Sequence, residues 1–80
     1  MSEQNRVLTF GEKAVGLSFN PAGNPKVNEL KEMYAKIIDF CHENRADPNI
    51  GAEAKRYFSK AISYAEDSQM NGVKALTWQY

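Results

Sequence analysis

The 80-residue chain balances ten basic against ten acidic side chains and carries one cysteine and one histidine. A chain this short buries only about 60% of its unfolded surface, so its stability is marginal without a disulfide, a metal or self-association. Cys41 alone excludes an internal disulfide and points to an intracellular compartment; His42 alone excludes a Cys/His zinc cluster, which leaves oligomerisation as the source of extra buried surface.

Charge and hydropathy narrow the classes further. Zero net charge lacks the basic stripe of a nucleic-acid binder, so no DNA partner is expected. No apolar run approaches the roughly 20 residues that cross a bilayer, and MSEQNRVLTF lacks a signal-peptide core. The expectation is a soluble protein with no membrane partner.

In chain order, residues 1–24 read as an ordered loop arm with Gly11, Gly16 and Gly23, in which VLTF adds a short extended segment. Asn20-Pro21-Ala22-Gly23 fits a type I turn. A first helix is predicted over residues 25–45, with Asn24 as N-cap and Pro25 at the first helical position. Its apolar seam is Val27, Leu30, Tyr34, Ile37 and Cys41, widened by Met33, Ile38 and Phe40.

A second helix is predicted over residues 48–77, capped by Asp47 and opened by Pro48. Its seam reads Ala54, Phe58, Ala61, Ala65, Ser68, Gly72 and Ala75. Six of these seven are small, so a neighbouring backbone is expected against Gly72, where glycine costs about 1 kcal/mol relative to alanine. The fold expected is all-α: one domain over residues 1–80, an antiparallel two-helix hairpin with a loop arm, assembled as a compact homo-oligomer. Tyr57, Ile62, Tyr64, Val73, Leu76 and Trp78 lie off the seam and call for a second copy or a partner to cover them.

Several side chains are candidates for binding. Lys31 borders the first seam, where a lysine either snorkels to solvent or meets a phosphate. Lys26 adds charge in the first turn, near the positive end of the helix dipole. Phe10 and Phe19 either anchor the arm in the core or offer faces for stacking a base. Ser18 and Asn20 could then read base edges. Arg56 and Lys74 form a solvated face, or in an oligomer surround a symmetry axis and hold phosphates. His42 with Asp39 and Glu43 makes at most a weak metal site, and Cys41 fits an inert buried thiol. No activated nucleophile or paired acid and base is present. The reading is a binder without cofactor or metal.

The elements G-x-S-F-N-P, V-x-x-L-K-x-x-x-A-x-x-I-D and A-x-x-x-A-E-x-x-Q-M-x-x-V-K-A-x-T-W, spread over Gly11 to Trp78, resemble the helical-hairpin domain of phage anti-CBASS and anti-Thoeris sponges. That resemblance implies a non-enzymatic protein in the cytoplasm of an infected bacterium. It would sequester cyclic dinucleotides such as 3′,3′-cGAMP, and cyclic trinucleotides, keeping the defence effector silent. It further implies a homohexamer with dinucleotides held between protomers and trinucleotides at three-fold sites. Carried over by motif, Lys31 contacts the ligand; Phe19, Asn20 and Pro21 form the pocket wall; Phe10 stacks; and Arg56 serves the three-fold site. The chain lacks the added strands of the anti-Thoeris branch, which favours cyclic oligonucleotides over ADP-ribose derivatives. The alternative from another class is a small helical adaptor that inhibits a host or phage protein.

Overall fold

A computed structural model describes residues 7–80, so the first six residues of the arm lie outside it. The described residues are all-helical, in three helices: α1 (Phe10–Ala14), α2 (Pro25–Arg45) and α3 (Ala52–Leu76). α2 packs against both others. Leu30 against Gly72, Tyr34 against Ser68 and Arg45 against Ser59 show that α2 and α3 run antiparallel.

The arm contains a helix where a loop was expected. Thr9 is extended and caps it: its hydroxyl accepts the Glu12 N–H, and the Glu12 carboxylate accepts the Thr9 N–H. This T-x-x-E capping box satisfies two amides that would otherwise lack partners. VLTF is therefore not extended throughout, since the helix already begins at Phe10. Gly16, at φ +62°, ends α1: its N–H reaches the Lys13 carbonyl while the Leu17 N–H reaches that of Glu12. That pair is a Schellman closure, which needs the left-handed conformation glycine adopts freely. Gly11 lies directly on α2, where a Cβ would collide with the Ala35 carbonyl, and its N–H donates to Asp39 at 2.7 Å.

The turn from Asn20 closes as expected, with the Gly23 N–H on the Asn20 carbonyl at 3.0 Å. α2 then begins where the sequence places it, Asn24 accepting the Lys26 N–H at 2.9 Å. α3 begins later than expected. Asp47 caps a turn by accepting the Asn49 N–H, and the helix opens at Ala52 behind Gly51, which has no side chain to cap with. Lys55 tethers that start, donating to the carbonyls of Arg45 and Asp47 at 3.0 and 2.8 Å.

The packed core is Val15, Ala35, Ile38, Cys41, Ile62 and Ala65, flanked by Ala14, Leu17, Tyr34 and Phe58. Both seams are thus rotated from their expected positions. Ile37 is 50% exposed while Ile38 is fully buried, and Ala54, Ala61, Ser68 and Ala75 face outward. The buried line of α3 is instead Phe58, Ile62, Ala65, Gln69 and Gly72. The cause is α1: it takes up a second side of α2, and the buried arc turns toward Val27, Lys31, Ala35 and Ile38 to serve both neighbours. Gly72 does meet a close neighbour, but it is the Leu30 side chain of the same protomer rather than a backbone.

Candidate functional site

The glycine-closed end of α1 and the Asn20 turn fix a short loop over α2. Lys31, only 4% exposed, rises from α2 beneath it and donates to the carbonyls of Gly16 and Phe19. Burial lowers its pKa from the ordinary 10.5. The snorkelling reading of this lysine is therefore wrong. Its stem is enclosed and its head holds the loop. Asn20 braces the other side: its amide donates to the Asn24 carbonyl and the Asn28 side chain while accepting the Asn24 N–H. The loop so pinned presents Phe19, 72% exposed, with the Lys31 ammonium 5.6 Å from its ring centre.

Between this loop and α3 runs a groove of about 490 Å³, lined by Lys13, Gly16, Phe19, Lys31, Gln69, Met70 and Val73 among others. Among the described residues, two lysines and no carboxylate line it. Its wall is an aromatic face and an exposed thioether, and its floor carries two polar side chains, Lys31 and Gln69, each 4% exposed. Such a surface suits a flat ring bearing negative charge.

The other sequence candidates are dispersed. Phe10 stacks on His42 with ring centres 4.0 Å apart, beside Arg45. His42 lies eleven residues along α2 from Lys31, about 16 Å at the rise of an α-helix. Phe10 and Phe19 therefore do not share one pocket within a protomer. Of the His42, Asp39 and Glu43 set, His42 Nδ1 meets Arg45 and Asp39 accepts from Gly11, and among the described residues no group of three such side chains is placed to hold a metal. Lys26 borders a groove shared with Glu29 and Glu32, whose charges oppose an anion there. Pro21 is exposed in the turn. Arg56 pairs with Glu53, rests on the Tyr57 ring, and lines a groove of about 260 Å³ with Lys60, Ser63 and Tyr64.

Sequence reasoning thus places Phe19 and Lys31 in one groove but misses Lys13, Gln69, Met70 and Val73. Gln69 was legible: four residues after Ala65 and seven after Ile62, it interrupts an apolar line with an amide. No protein-family model matches the chain, and no match was found among curated proteins or solved structures. Among the described residues, no helix is long and apolar enough to cross a membrane.

Proposed function

We propose that the chain is a non-enzymatic binder that sequesters cyclic di- and trinucleotide second messengers of bacterial defence, in the cytoplasm of an infected host and as a homo-oligomer. The observation that carries this reading is the groove in which Phe19 is pinned, exposed, above buried Lys31 with no carboxylate in the lining. A base stacks on Phe19, and the phosphodiester lies toward Lys13 at the rim, with the Lys31 charge beneath adding to the local positive potential. Preorganisation serves sequestration, because a loop already locked by Lys31, Asn20 and Gly16 loses little freedom on binding. The resemblance to phage sponges supplies the ligand class. The groove at Arg56 and Lys60 is the place for a trinucleotide's phosphates when copies bring several such arginines together.

The experiment mixes purified protein with 3′,3′-cGAMP, removes the protein by filtration, and heats it. The nucleotide is expected to leave solution and return uncleaved; cleaved product, or no depletion, contradicts the proposal.

A second reading is favoured by a different observation. Met33, Ile37 and Phe40 stand exposed along α2, and Tyr57 and Tyr64 along α3. On a monomer, that face would serve a helical adaptor for a host or phage protein. Solution mass separates the readings, a stable monomer favouring the adaptor and a closed oligomer the sponge.

A further inference from the structure

The buried line of α3 runs Phe58, Ile62, Ala65, Gln69, Gly72, and one member does not belong on packing grounds. Gln69 is 4% exposed, yet among the described residues no hydrogen bond joins its amide to another group. Its polar atoms are not sealed in either, since no fully buried side-chain nitrogen or oxygen among the described residues lacks a partner. Gln69 lines the groove beside Phe19 and Lys31, and its amide opens there. An amide whose partner is groove water gains nothing in packing over a leucine or methionine, which would fill the same space with apolar surface. By contrast Lys31, the other polar group of the floor, already spends two of its three donors on the Gly16 and Phe19 carbonyls.

We propose that Gln69 is the base-reading residue of this groove and selects adenine, an inference that rests on the nucleotide-binding reading above. A carboxamide presents one acceptor and one donor side by side. Adenine's outer edge presents the complement: the 6-amino group donates to Oε1 while N7 accepts from Nε2. A purine stacked on Phe19 turns an edge toward the groove floor, where Gln69 is the polar group free to meet it. Guanine on the same edge offers two acceptors, O6 and N7, so one half of the amide would face a like group.

The test is calorimetric titration of cyclic di-AMP and cyclic di-GMP into the wild-type protein, Gln69→Glu and Gln69→Leu, with melting curves for each. The wild type is expected to favour the adenine ligand by about tenfold, as a bidentate pair does. Gln69→Leu should stay folded and lose most of that preference while still binding through the stack. Gln69→Glu should weaken both ligands, because a carboxylate offers no donor to adenine N7 and on the same edge meets only the acceptors O6 and N7 of guanine. Binding of both ligands with a ratio that Gln69→Leu leaves unchanged overturns the assignment and leaves the nucleotide-binding reading standing. Failure of the wild type to bind either ligand overturns the nucleotide-binding reading and the assignment with it.

Discussion

Lys31 holds its loop with backbone carbonyls as partners, so its charge is enclosed without an opposite charge to offset it. Its lowered pKa states that cost. At neutral pH both folded and unfolded chains are protonated and the desolvation penalty is fully present. As pH climbs from the folded value toward 10.5, the folded chain releases the proton first, so the contribution of Lys31 to stability rises in that window. Urea unfolding of wild type and Lys31→Met should show this. The variant, leaving two carbonyls without their charged donor, is expected to lose about 2 kcal/mol at pH 7, and the wild-type advantage should widen as pH approaches 10.5. A gap that does not change with pH contradicts the assignment. Gly11 gives a second residue-scale test. A methyl group there meets the Ala35 carbonyl, so Gly11→Ala should cost about 3 kcal/mol and free α1 from α2, seen as loss of amide-exchange protection at Gly11 and its neighbours.

At the scale of elements, what could be read from the sequence was whatever local chemistry decides. Asn24–Pro25 marked the start of α2 because a cap and a fixed φ act within a few residues. The same pair of cues at Asp47–Pro48 misled, since an aspartate that caps a turn uses the same oxygen as one that caps a helix. α1 escaped notice because five residues show no periodicity, although Thr9 and Glu12 carried its signature. Val27, Cys41, Phe58, Ala65 and Gly72 fall on the buried lines as expected, but Ile37, Ala61 and Ser68 stand one position off for a non-local reason: α1, which rotates the buried arc of α2. Of the site, Phe19 and Lys31 were legible as residue types, but only the fold brings Gln69 and Val73 of α3 to them. Gly72 tests the α2–α3 contact. Alanine there gains about 1 kcal/mol of helix propensity but presses on Leu30. Gly72→Ala alone should be nearly neutral, while in a Leu30→Ala background it should stabilise by about 1 kcal/mol in thermal unfolding. An equal effect in both backgrounds would show that Leu30 does not restrict the site.

For the whole molecule, the shape sets the terms. The body measures 44 × 36 × 12 Å, too thin for a second layer of helices when packed axes stand 8–10 Å apart. One broad face is accordingly left with Met33, Ile37 and Phe40 beside Tyr57, Ala61 and Tyr64, the Tyr34–Ser68 contact bringing the two stripes edge to edge. Four of the small residues of the expected seam, Ala54, Ala61, Ser68 and Ala75, are exposed instead, where they would let copies approach closely. Under the sponge reading, wild type should sediment well above the 9.0 kDa of one chain, and Ile37→Glu should return it toward that mass with its helicity intact. A wild-type monomer at micromolar concentration would favour the adaptor instead. Amide chemical-shift mapping with 3′,3′-cGAMP reports on the groove itself. The largest changes are expected on Lys13, Phe19, Lys31, Gln69 and Val73; changes centred on Met33, Ile37 and Phe40, or none at all, would rule the groove out as the binding site.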